Sequence, residues 1–120
     1  MTTLYGIPNC DTVKKARAWL TAQGVDYTFH DFKKQSVPQH RLAAWCHAVG
    51  WEKLLNRQGT TWRKLNADVQ ARVVDSASAQ ALMLANASVI KRPVVEWGCG
   101  SATITVGFEA ARWLALKGKQ

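Results

Sequence analysis

The chain has 120 residues, 48% of them apolar, which suffices for one ordinary core and argues for a single compact domain. Sixteen Lys+Arg against eight Asp+Glu give a formal net charge of +8. That field attracts nucleic acid, acidic protein surfaces and small oxyanions alike, so it selects none of them. No segment approaches the ~18 uninterrupted apolar residues of a membrane span, and the opening MTTLYG lacks the charged and apolar regions of a secretion signal; the expectation is a soluble, cytoplasmic protein.

In chain order, residues 3–7 form a short apolar segment that runs into the turn Pro8-Asn9. Residues 11–23 then place Val13, Ala16 and Leu20 on one helical face, with Lys14, Lys15 and Arg17 turned largely to solvent and Gly24 as a C-terminal stop. Val25 to His30 alternates, putting Val25, Tyr27 and Phe29 on one face of a half-buried strand. Residues 1–31 thus read as a βαβ unit of about thirty residues, which implies a right-handed crossover and parallel strands.

Residues 36–87 read as a block of helices. Ser36 is placed to cap a helix, with Pro38 in its first turn and Gln39 completing a capping box. Leu42, Trp45, Cys46 and Val49 follow at i, i+3, i+4, i+7 and share a buried stripe, which makes Cys46 a core residue. WEKLL is a short helical turn and NRQGTTW a loop. Asp75 caps SASAQALMLA, whose Ala79, Leu82 and Met83 face inward.

Residues 89–118 close the chain as ββα. The apolar runs 89–97 and 102–106 flank the Gly-rich turn GCGS as a hairpin, and a last helix over 108–117 directs Phe108, Ala111, Leu114 and Ala115 to one side. The order βαβ, helices, ββα is that of an α/β, thioredoxin-like fold with a helical insertion between the second and third strands.

Three cysteines, at 10, 46 and 99, are an odd number without short pair spacing, so they suggest neither a disulfide framework nor a CxxC metal site. His30, His40 and His47 have no metal-ligand spacing with them, and no metal is expected. Cys99 reads as an incidental thiol in the hairpin turn. Cys10 follows a strand and a turn at a helix start, where unpaired N–H groups and the helix dipole favour the thiolate. A small, partly buried, inert cysteine fits the same local pattern. Arg92-Pro93 enters the third strand, where that topology sets a cis-proline opposite the cysteine, so a cis Arg92–Pro93 bond is expected. Arg57, Arg63 and Lys64 gather around Trp62, a combination that suits either a nucleic-acid surface or, preferred here, a solvated face anchored by the Trp.

Taken together, LYGIPNCDTVKKARAWL, GTTWRKL and IKRPVV resemble the ArsC/Spx family of thioredoxin-fold proteins, in its YffB-like branch. The resemblance implies a glutathione-dependent thiol reductase with Cys10 as the catalytic nucleophile. Arg92, Pro93, Asn9 and Lys14 form the implied binding set for substrate and glutathione, with glutathione as co-substrate. Arsenate reductases of the family carry an arginine just before the last helix, where this chain reads Val106-Gly107-Phe108, so arsenate reduction is the alternative chemistry. Spx-type regulators, which bind the RNA polymerase alpha subunit, place a second cysteine three residues after the first; here that position is Val13. The implied partners are glutathione and a disulfide or oxyanion substrate, with glutaredoxin or the polymerase alpha subunit as protein partners and nucleic acid disfavoured.

Overall fold

A computed structural model of the chain describes residues 2–98 and 103–117. The elements run β1 (Thr2–Gly6), α1 (Asp11–Ala22), β2 (Tyr27–Asp31), α2 (Phe32–Gln35), α3 (Gln39–Val49), α4 (Trp51–Leu54), α5 (Thr60–Arg63), α6 (Ala67–Ala71), α7 (Ser76–Ala85), a 3-10 turn (Ala87–Val89), β3 (Val94–Glu96), β4 (Ile104–Val106) and α8 (Ala110–Lys117). No described helix is long and apolar enough to cross a membrane. The chain divides into two compact units, one made of the segments before Ser36 and after Lys91, the other of Ser36–Lys91.

The first unit holds a four-stranded sheet in the order β2-β1-β3-β4. β1 pairs parallel with β2, from Thr2 opposite Tyr27 to Gly6 opposite Asp31, as a βαβ crossover requires. β3 runs antiparallel to β1 and to β4. The alternation of side chains along a strand sends Leu4 and Val95 to the face where α1 and α8 lie. There Leu4, Val13, Ala16, Leu20, Val95, Trp97 and Trp113 form the core, with Val25, Tyr27 and Phe29 packed half-buried against it. α1 ends where Gly24 takes a φ of 72°. The Gly24 and Val25 N–H groups donate to the Thr21 and Leu20 carbonyls at 3.1 and 3.0 Å, so the left-handed residue satisfies the helix end.

The expected inward face of the last helix is corrected. Ala111 and Ala115 are exposed and Leu114 is 53% exposed, whereas Trp113 is fully buried and Leu116 half-buried. Trp113 sets the rotation because its ring offers the largest apolar area. It meets Trp97, Trp19 and Phe108 edge-on at centroid distances of 5.2, 5.8 and 4.8 Å, the arrangement that aromatic quadrupoles prefer.

In the second unit, α3 contacts α4 and α7, and α7 contacts α4 and the 3-10 turn. Leu42, Trp45, Cys46, Ala79 and Met83 are buried, while Val49 and Leu82 are half-buried. Asp75 caps α7: its carboxylate accepts the Ser78 N–H at 2.9 Å, and the Ser78 hydroxyl accepts the Asp75 N–H at 3.1 Å. The expected cap at Ser36 is corrected. Pro38 occupies the N-cap of α3 without a side-chain cap bond, and Ser36 lies two residues upstream with a φ of 62°. That left-handed residue turns the chain and the helix starts at Gln39, so the N-cap position falls on Pro38 rather than on Ser36. The supposed loop NRQGTTW also contains a helical turn, α5, which starts at the Gly59 N-cap. The third-strand segment is shorter than its apolar run, because Val89 lies in the 3-10 turn and Ile90 forms an isolated bridge with Leu55. Residues 99–101 of the GCGS turn, Cys99 among them, lie outside the described residues.

Candidate active site

The first link is the end of β1. Gly6 is the last residue of the strand, and a Cβ there would sit 2.8 Å from Cγ2 of Val13, in the first turn of α1. Absence of that Cβ lets the helix start pack directly on the strand end. Ile7 is buried, Pro8 and Asn9 form an exposed turn, and Cys10 follows as the N-cap of α1 with extended φ/ψ of −127° and 124°. The Cys10 carbonyl accepts the Lys14 N–H at 2.9 Å, which closes the first helical turn.

No side chain caps α1. The first amides of a helix have no intrahelical partner, and Cys10 is the residue that precedes them, its sulfur making no capping bond. Cys10 is a free, half-buried thiol packed partly against the core of the first unit. It is therefore held on one side by packing and reachable on the other. Asp11, exposed in the first turn, carries a charge that also suits a helix start.

The second link comes from strand register. Thr3, Leu4 and Tyr5 lie opposite Glu96, Val95 and Val94, so one step further along the antiparallel pair sets Pro93 beside Gly6. β3 thus enters the sheet at the end where β1 leaves it toward Cys10. The Arg92–Pro93 bond is cis. Pro93 is buried, and its carbonyl accepts the Gly107 N–H at 2.9 Å, so the entry to β3 is pinned to the end of β4. Arg92 is half-buried, with its Nε atom shielded from solvent. Cys10, Asn9, Arg92 and Pro93 accordingly share one end of the sheet, with Lys14 exposed one helical turn into α1.

Cys46 differs in kind. It is buried in the second unit, and burial pushes its thiol pKa up, with a hydrogen bond from Ser76 opposing the shift. A thiol held protonated in this way is a poor nucleophile. His40 and His47 are exposed, and His30 packs against Tyr5 and Phe32 at ring distances of 4.9 and 5.9 Å.

Arg17 was expected to turn to solvent, and here the structure differs. The side chain is half-buried, its guanidinium lies 4.1 Å over the Phe29 ring, and its Nε donates to the Tyr27 hydroxyl at 3.1 Å. The cause is the half-buried aromatic pair on β2, which offers a cation–π face and an acceptor together. No local pattern shows it, because both partners lie on β2 rather than on the helix that carries Arg17.

Such a site defines a class: a thioredoxin-like protein that presents a cysteine at the start of its first helix, at the sheet end that carries a cis-proline. The chain belongs to the ArsC family, whose model matches residues 5–116. The solved structure of a protein called YFFB is 46% identical, with a TM-score of 0.90 over 97% of this chain and 98% of that one. An arsenate reductase (ArsC) related protein from Brucella melitensis is 52% identical, with a TM-score of 0.73 over 95% and 92% of the two chains. The global transcriptional regulator Spx of Streptococcus pyogenes is 27% identical over 97 residues, 79% of this chain and 71% of the regulator.

Proposed function

We propose that the protein is a glutathione-dependent thiol reductase in which Cys10 is the single nucleophile. The observation that carries this reading is the half-buried Cys10 sulfur at the uncapped N-terminus of α1, at the sheet end that carries Pro93. The Cys10 thiolate attacks one sulfur of a mixed disulfide between glutathione and a substrate thiol. The substrate's S–S bond breaks, the substrate leaves as a thiolate that takes a proton from water, and Cys10 is left in a disulfide with glutathione. Position 13 is a valine buried in the core, so no cysteine one turn away can resolve that bond. A second glutathione thiolate attacks it instead, which frees Cys10 and forms glutathione disulfide. The mixed disulfide and one free glutathione thus give the substrate thiol and one glutathione disulfide, in which the glutathionyl group taken from the substrate is paired with the incoming glutathione. The roles of Arg92 and Lys14 are to attract glutathione's carboxylates, while Asn9 and Pro93 shape the groove that receives it.

The test is glutathione-coupled reduction of a glutathionylated model peptide. Cys10→Ser is expected to abolish turnover and Cys46→Ala to retain it; full turnover by Cys10→Ser would end the reading. A second reading, a regulator that binds the RNA polymerase alpha subunit, is favoured by the similarity to Spx alone. Capture of the alpha subunit that survives Cys10→Ser would support it. Arsenate reduction, suggested by the name of the Brucella relative, is assayed with arsenate in place of the peptide disulfide.

A further inference from the structure

Beyond the cysteine, α1 carries a second feature on its outer side. A shallow, open groove is lined by Lys14, Arg17, Ala18, Thr21, Ala22 and Tyr27. Its helical residues 14, 17, 18 and 21 stand four, seven, eight and eleven positions after Cys10, which is the step of a single helix face. The groove therefore starts one turn, about 5.4 Å, along the helix from the nucleophile and leads away from it.

The lining has two cations and no acid. Arg17 is not a loose surface charge, because Phe29 and the Tyr27 hydroxyl hold its guanidinium in place. Ala18 and Ala22 make a low floor that leaves room for an occupant. The opposite wall is Tyr27, the first residue of β2, and β2 is an end strand of the sheet with no strand on its outer edge among the described residues. Asp26 lines an adjoining depression that shares Thr21 and Tyr27 with the groove, so the acid stands at the far end and the cationic part is the part near Cys10.

We infer that this groove binds an extended acidic peptide segment of the protein substrate, laid between α1 and the edge of β2 with its carboxylates toward Lys14 and Arg17. An extended strand sends alternate side chains to one face, which suits acidic residues at every second position, and an open strand edge offers backbone hydrogen bonds to such a segment. A nucleic-acid strand fits less well. Base stacking uses several open aromatic faces, whereas Arg17 covers the Phe29 ring and Tyr27 is the one aromatic residue that lines the groove. The inference deepens the reductase reading, and rests on it for why a substrate should lie beside Cys10, but the binding is tested without the thiol.

In the Cys10→Ser background, fluorescence anisotropy follows a fluorescein-labelled hexapeptide that alternates glutamate with valine. The acidic peptide is expected to bind, and its lysine counterpart is not. Lys14→Glu, and separately Ala18→Glu on the exposed groove floor, are each expected to weaken binding roughly fivefold or more, the scale of about 1 kcal/mol for an exposed charge pair. Lys34→Glu makes the same charge change on α2, outside the groove, and is expected to change binding less than twofold. Absence of binding, or equal losses from Lys34→Glu and Lys14→Glu, would overturn the inference. Tighter binding of an oligothymidylate of equal net charge would also overturn it, in favour of nucleic acid. If the peptide binds while the wild-type protein shows no turnover, the groove stands and the reductase reading falls.

Discussion

Substitution of Gly6 by alanine tests how the fold places its nucleophile. The new Cβ would lie 2.8 Å from Val13 Cγ2 and 3.4 Å from Cγ1, against the ~3.5–4.0 Å of an optimal carbon contact, so about 0.7 Å of separation must be found. Val13 cannot swing aside, because it is fully buried and a β-branched side chain has one strongly preferred rotamer in a helix. Relief must come from a shift of the first turn of α1, which carries Cys10. Overpacking of this kind costs about 1–3 kcal/mol. Urea unfolding should show that loss, and peptide-mapped iodoacetamide labelling should show a changed rate at Cys10. The paired substitution Gly6→Ala with Val13→Ala removes both crowding methyls and should restore the Cys10 rate. It would remain less stable than wild type by the net loss of one buried methyl, two removed at Val13 and one added at Gly6, about 0.8 kcal/mol. Unchanged stability and an unchanged Cys10 rate in the single variant would refute the claim that Gly6 sets the position of the helix start.

Further outcomes follow from the same structure. Trp113→Ala should destabilise the chain by about 3–5 kcal/mol, the usual cost of emptying a buried tryptophan site, as read from the denaturation midpoint at constant slope. Because burial raises the Cys46 pKa, the folded state keeps that proton where the unfolded state begins to lose it. Stability should therefore be flat below the ordinary thiol pKa of about 8.5 and fall as pH rises above it, and pH-dependent unfolding of Cys46→Ala should fall less steeply in that window. Asp75 has its pKa lowered by the Ser78 amide and hydroxyl, so its contribution to stability is present above the usual carboxylate range and fades as pH drops through it. Thermal melts of Asp75→Ala should show a lower Tm at neutral pH and a smaller difference from wild type in acid.

Much of the fold could be read from periodicity. The step-two alternation of Val25, Tyr27 and Phe29 and the step-three-and-four spacing of Val13, Ala16 and Leu20 each report a face that tertiary packing does bury. The last helix was misread because its small apolar residues form a stripe as regular as the true one, and pattern alone does not weigh Trp113 against Ala111 or Ala115. Ser36 does not occupy the N-cap position because backbone sign decides where a helix can begin, and a φ of 62° is invisible in the letters SVPQ. At the site, the placement of Cys10 at a helix start and of Pro93 at the strand entry was legible, since both follow from element order. The role of Gly6 was not, because it depends on a contact seven residues away across the strand and helix. Arg17 was hidden for a related reason: its partners, Tyr27 and Phe29, lie on another element.

Mapping of the first glutathione adduct tests the central claim most directly. The protein is incubated with glutathione disulfide at neutral pH, digested, and the modified cysteine located by mass spectrometry before and after addition of reduced glutathione. The adduct is expected at Cys10 well before Cys46, and reduced glutathione should remove it. A Cys10 that stays unmodified while another thiol reacts, or an adduct at Cys10 that reduced glutathione cannot release, would contradict the account.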